Sequence, residues 1–164
     1  MPAVLLAGLP GTGKSTLAAG LAQHFSGHVL NKDVIRQAIF GPSHVAYSAQ
    51  QDDLVHTFMV QAAHFLWHTQ PDLWVFFDGR TYSRAIHRAA VPPHFTLLCT
   101  ASEAQVRQRL QAPHPAANRN WQLYEKVRNH FEPLTEPHCI INTDQPYEEC
   151  LAQAITYLAA AQGT

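Results

Sequence analysis

The chain has 164 residues, of which 46% are hydrophobic and 14% charged, with a formal net charge of −1 and a pI near 6.8. That size and composition exclude a disordered chain and fit one domain spanning 1–164 with a full core. The charge gives no global basic footprint for nucleic acid, and no apolar run reaches the ~18 residues of a membrane span.

Pro2 to Ala7 is a short apolar run, expected as a buried first strand. Gly8-Leu9-Pro10-Gly11-Thr12-Gly13-Lys14-Ser15 follows and fits G-x-x-x-x-G-K-[ST], the phosphate-binding loop of nucleoside-triphosphate enzymes. Its glycines let successive backbone N–H groups point at one anion. Lys14 supplies a mobile charge for the β- and γ-phosphates, and the Ser15 hydroxyl reaches Mg²⁺. Gly11, Thr12, Gly13, Lys14, Ser15 and Thr16 are therefore the expected nucleotide-binding residues. Ser15 to Phe25 carries Leu17, Ala18, Leu21, Ala22 and Phe25 at helical spacing, so a helix N-terminus faces the same anion.

Gly27 to Leu30 reads as the second strand, ending in Asn31-Lys32-Asp33 before a short helix from Val34 to Phe40. Asp33 stands where an acceptor approaches the γ-phosphate, and a carboxylate there can take a hydroxyl proton. Arg36, one turn on, can grip an acceptor phosphate or carboxylate. The plainer alternative makes Asp33 the cap of the helix beginning at Val34, with Arg36 on its surface. Asn31-Lys32-Asp33 is not the guanine-reading N-K-x-D, since its aspartate comes one residue early.

Gln50 to Thr69 is expected as a long helix burying Leu54, Val55, Phe58, Met59, Ala62, Phe65 and Leu66. His56, His64 and His68 lie along it as partly exposed positions, without the glutamate of a zinc H-E-x-x-H helix. Leu73 to Phe77 is a central strand ending in Asp78, the expected position of a carboxylate that orients Mg²⁺. The alternative is a strand-end aspartate capping the next turn. Arg84, in a short helix from Ser83 to Ala90, and Arg80, which just precedes it, are candidates for holding an anionic acceptor, whereas Arg88 reads as surface. His94 to Ala101 is the fourth strand, and Ser102 caps a helix to about Gln111.

Ala112 to Asn120, with two prolines, is a loop or lid, about 112–121. Trp121 to Phe131 is helical, His138 to Asn142 is the last strand and Tyr147 to Ala161 the last helix. The alternation predicts an α/β fold with a five-stranded parallel sheet flanked by helices on both faces. Ligands in such sheets bind beyond the carboxyl ends of the strands, where the loop, Asp33 and Asp78 all fall. Cys99, Cys139 and Cys150 lack metal-ligand spacing and read as reduced thiols. With no leader-like segment at the start, a cytoplasmic location is expected.

G-L-P-G-T-G-K-S-T, N-K-D-V-I-R and V-F-F-D-G-R-T-Y-S-R together resemble the P-loop kinase group that includes polynucleotide-kinase-like, zeta-toxin-like and chloramphenicol-phosphotransferase-like families. The likeness is greatest to small AAA-type ATP-binding proteins related to polynucleotide kinase, and it covers nearly the whole chain. It implies a three-layer, nucleoside-kinase-like P-loop fold with a short lid. It also implies ATP and Mg²⁺ as cofactors and an Asp33–Arg36 pair that binds and activates the acceptor. Lid arginines would reach the triphosphate, and Arg109 and Arg119 occupy such positions. The pattern departs from the family at Ala112-Pro113, where a second lid arginine is usual, and at Arg80, an added charge between Asp78 and Thr81.

The function expected is transfer of the γ-phosphate of ATP to a hydroxyl, either a nucleic-acid 5′-hydroxyl or a small molecule, with no membrane and no obligate protein partner. The alternative is a stand-alone ATP-binding or ATPase module acting on a protein. Gly79 replaces the glutamate that follows the strand-three aspartate in strong ATPases.

Overall fold

A computed structural model of the chain describes residues 1–92, 94–112 and 119–162, without the side chains of Arg80, Thr81, Ala161 and Gln162. Among the described residues, β1 (Ala3–Ala7), β2 (His28–Asn31), β3 (Val75–Asp78), β4 (His94–Thr100) and β5 (His138–Asn142) form one parallel sheet in the order β2-β3-β1-β4-β5. The helices are α1 (Lys14–His24), α2 (Lys32–Phe40), α3 (Ala49–Thr69), α4 (Ala85–Ala89), α5 (Glu103–Leu110), α6 (Trp121–Asn129) and α7 (Tyr147–Gln162), with a 3₁₀ turn over Arg80–Ser83. None of these helices is long and apolar enough to cross a membrane.

β1 is apolar at every position, and β3 is apolar up to Asp78, because both faces of the sheet are covered. Side chains alternate between the two faces. Val4 and Leu6 of β1, with Trp74 and Phe76, pack on Leu17 and Leu21 of α1 and on Ala154 and Leu158 of α7. Ala3, Leu5 and Ala7, with Val75 and Phe77, pack on Val55, Met59, Ala63 and Trp67 of α3.

The buried stripe of α3 differs from the expected one. Val55, Met59, Ala63 and Trp67 are buried, whereas Leu54, Phe58 and Phe65 are exposed. The helix carries apolar residues around most of its circumference, so periodicity does not choose the stripe. The sheet accepts only one row at four-residue spacing, and that contact decides. His56 belongs to the buried side instead of the partly exposed one. Its ring lies 5.6 Å from Tyr82 and 5.0 Å from His87. His87 Nε2 meets Asp53 Oδ1 at 2.8 Å and ties α4 to α3.

Arg88 is a second correction. It is buried, not on the surface, and its guanidinium reaches Glu136 Oε1 (2.7 Å) and the carbonyls of Tyr82 and Pro133. Glu132 Oε2 accepts from the Ala85 N–H at 2.5 Å. The segment between α6 and β5 therefore clamps the start of α4. Among the thiols, Cys99 and Cys150 are buried, Cys139 is half-buried, and all are free. Burial pushes Cys99 up to about 12, so it is an inert thiol.

Burial, with His87 and Lys32 nearby, lowers the pKa of His56 to about 4. The unfolded chain protonates this residue near pH 6.5 and the folded chain does not until about pH 4. Its contribution is therefore neutral above pH 6.5 and increasingly destabilising as pH falls to 4, by roughly 2–3 kcal/mol in total. Urea unfolding midpoints measured from pH 7 to 4.5 should fall less steeply in His56→Gln than in the unmodified chain. Equal slopes contradict this account.

Candidate active site

Gly8, Gly11 and Gly13 all have positive φ, of 138°, 81° and 81°, and curl the loop between β1 and α1. A Cβ at Gly8 would lie 2.4 Å from the Cys99 carbonyl oxygen, so the loop is seated against β4 at a point that tolerates only glycine. Helix α1 begins without a side-chain cap and without an acid in its first turn. Its N–H groups are thus available to an anion. The Leu9 carbonyl accepts from Thr12 Oγ1 (2.8 Å) and Lys14 Nζ (2.7 Å). Burial lowers the Lys14 pKa, and the carboxylates of Asp78 and Asp33 oppose that shift.

The strand register brings the acids to this loop. Asn31 pairs with Asp78 across β2–β3, and Leu6 pairs with Asp78 across β1–β3. Asn31 Nδ2 donates to Asp78 Oδ2 at 2.6 Å, and Ser15 lies beside Asp78 in the same cavity. Burial raises the Asp78 pKa, while Ser15, Lys14 and Asn31 favour its charged form. Ser15 and Asp78 are adjacent hard oxygen donors, the donor type a magnesium ion takes. The donor set fits such an ion beside bound phosphates.

Asn31 caps α2, since its Oδ1 accepts from the N–H groups of Asp33 and Val34, both at 3.0 Å. The cap is therefore not Asp33, and the helix starts at Lys32, two residues earlier than expected. Asp33 lies in the first turn and lines a cavity of about 190 Å³ with Lys14, Ser15, Asn31, Asp78 and Arg119. Arg36 does not line it. Its side chain is fully buried, with Nη1 donating to Asp33 Oδ1 (2.6 Å), Nη2 donating to Asp52 Oδ1, and the Tyr47 ring 5.1 Å away. Lys32 Nζ also meets Asp52 Oδ1, at 2.7 Å. Asp52 went unnoticed in the sequence because nothing local links it to a residue 16 positions earlier.

A second cavity of about 410 Å³ shares Gly11, Gly13, Thr16 and Arg119 with the first, and is walled by Arg109, Thr143 and Tyr147. Arg109 donates to Thr143 Oγ1 (2.9 Å), the Thr143 carbonyl (2.6 Å) and the Gly11 carbonyl (3.3 Å). Arg119 donates to the Arg109 carbonyl at 3.1 Å and stands between the two cavities. Arg107 instead stacks on Trp121, at 3.4 Å from the ring centroid. Arg84 is exposed at the start of α4. The side chain of Arg80, and residues 113–118 of the expected lid, lie outside the described residues.

The sequence model of the AAA domain family matches residues 4–134, and the chain belongs to that family. A sugar kinase from Janibacter sp. HTCC2649 superposes with a TM-score of 0.73 at 17% identity, covering 97% of this chain and 95% of that one. A gluconokinase from Sinorhizobium meliloti 1021 gives 0.72 at 13% identity, covering 98% and 93%. The Mycobacterium tuberculosis APS kinase, solved with AMPPNP and APS, gives 0.70 at 18% identity, covering 96% and 97%. No curated protein matches the sequence.

Gly8→Ala tests the seating of the loop. Substitution should lower stability by about 2 kcal/mol or more, because a backbone carbonyl cannot move aside as a side-chain tip does. Urea melts read the stability, and titration with a fluorescent ATP analogue should show affinity reduced at least tenfold. Unchanged values for both contradict the seating described.

Proposed function

We infer that this chain is an ATP- and Mg²⁺-dependent phosphotransferase whose acceptor is a hydroxyl. The observation that carries the reading is Asp33, a partly exposed carboxylate facing the same cavity as Lys14, Ser15 and Asp78 and held by Arg36. The roles assigned to these residues, and to 112–121 as a lid over one domain, are part of the same proposal, as is a cytoplasmic location.

The larger cavity takes the nucleoside, and the amides of Gly11 to Thr16 cradle its phosphates. Ser15 and Asp78 would hold Mg²⁺, which would supply charge neutralisation for the phosphates. Asp33 orients the acceptor hydroxyl and takes its proton as the oxygen attacks the γ-phosphorus. The bond from that phosphorus to the β,γ-bridging oxygen breaks, and ADP leaves. Lys14 and Arg119, the latter at the junction of the two cavities, stabilise charge on the transferring group, with Arg109 ordering the nucleoside side.

The acceptor is a small hydroxyl compound on this reading. Lys32 and Arg36, the cations of α2, are buried against Asp33 and Asp52 instead of facing the cavity. With a net charge of −1, this leaves a weak basis for tracking a polynucleotide backbone. Exposed Arg84, together with Arg80, keeps a 5′-hydroxyl end in the comparison. The second reading, an ATPase module with a protein partner, is favoured by one observation: the exposed row Leu54, Phe58 and Phe65 on α3.

Transfer from γ-labelled ATP with Mg²⁺ distinguishes these readings. The acceptors offered are sugar acids and polyols, a fractionated metabolite pool and a 5′-hydroxyl oligonucleotide, with Asp33→Ala as control. Label on a small-molecule fraction, reduced at least a hundredfold in Asp33→Ala, is the expected result. Label on the oligonucleotide instead assigns a polynucleotide kinase. ATP hydrolysis that is equal in both proteins, with no acceptor labelled, moves the conclusion to the ATPase module.

A further inference from the structure

We propose that Asp52, on α3, is a positioning residue that fixes the Arg36–Asp33 pair against the phosphate cavity. The inference rests on the phosphotransferase reading for its kinetic consequence, and on geometry alone for the rest. Two cations, Lys32 and Arg36, are almost completely enclosed, with side-chain exposures of 1% and 0%. Enclosed cations require close counter-charges, because removing one partner leaves an uncompensated charge in a poorly solvated place. One oxygen, Asp52 Oδ1, meets both: Lys32 Nζ at 2.7 Å and Arg36 Nη2.

The planar guanidinium turns this pairing into direction. Its donors form a rigid fork, so Nη2 anchored on α3 fixes where Nη1 points. Nη1 donates to Asp33 Oδ1 at 2.6 Å. Within α2 alone, an Asp33–Arg36 pair at i, i+3 is a flexible surface contact of small value. The tie to Asp52 immobilises it, and the Tyr47 ring beside the guanidinium closes the space on another side. Asp52 has no place in the phosphate cavity itself. It acts through Arg36 on the carboxylate that does line the cavity.

The test uses the full chain with Asp52→Asn, and with Lys32→Gln/Asp52→Asn, which removes one buried charge of each sign and so retains the balance needed for folding. Affinity for a fluorescent ATP analogue should stay within twofold in a folded variant. The kcat for γ-phosphate transfer to D-gluconate or a 5′-hydroxyl oligonucleotide, whichever the unmodified chain labels, should fall at least tenfold. Combining Asp52→Asn with Asp33→Asn should add nothing to the loss from Asp33→Asn alone, and Asp52→Glu should recover part of the rate. A separate arm needs no acceptor. Phenylglyoxal modification followed by mass spectrometry should find Arg36 protected in the unmodified chain and modified at least fivefold faster in the charge-balanced variant. If neither probe is labelled by the unmodified chain, the acceptor reading fails at those probes, and the phenylglyoxal arm alone decides the hold on Arg36. Equal protection of Arg36, an unchanged kcat, or losses from Asp33→Asn and Asp52→Asn that multiply would each overturn the proposal.

Discussion

The parallel register across β2, β3 and β1 is the constraint on which the site depends. It sets Asn31 beside Asp78 and Asp78 beside Leu6, one residue before the last of β1. A slip of one residue would turn Asp78 into the opposite face of the sheet and its apolar neighbours into the cavity. Two buried layers oppose any such slip. Val4, Leu6 and Phe76 belong to one side, and Leu5, Val75 and Phe77 to the other. The packing that stabilises the sheet is therefore also what delivers a carboxylate to the phosphate loop.

From that row the site is assembled by a few polar ties. Asn31 does two tasks at once: its Oδ1 caps α2 and its Nδ2 holds Asp78. The start of α2, and with it Asp33, is thereby referenced to the Asp78 carboxylate. On the other side, Thr143 Oγ1 lies 3.1 Å from the Thr12 carbonyl and accepts from Arg109, so the loop after β5 is referenced to the phosphate loop. Polar groups enclosed in this way are strongly directional, because the low local dielectric penalises any arrangement that leaves one unpaired.

Much of this was legible in the sequence, for reasons that can be named. A strand, a glycine-rich loop and a helix in that order carry their own geometry, so the loop residues and Ser15 could be read without a structure. An apolar run ending in an acid placed Asp78. Asn31 was open to the same reasoning, since an Asn before a helix is a capping signal, but Asp33 competed for the role two residues later. Asp52 was not legible, because its partners come from another helix and no spacing rule joins them. The buried stripe of α3 was misread because a helix apolar on several sides leaves the choice to its neighbours. Arg88 was misread for a related reason: a basic residue in a short helix is ordinarily solvated, and Glu136 and the Pro133 carbonyl from a distant segment, with the Tyr82 carbonyl in the preceding turn, make its burial tolerable.

The central claim is that Ser15 and Asp78 form the oxygen site at which phosphates and a divalent cation meet. Its most direct measurement is the affinity of a fluorescent ATP analogue with and without Mg²⁺, in the unmodified chain and in Asp78→Asn. The account predicts that Mg²⁺ strengthens binding to the unmodified chain at least tenfold and that most of this gain is lost in Asp78→Asn while the metal-free affinity stays similar. An equal Mg²⁺ effect in both proteins, or none in the unmodified chain, would contradict it.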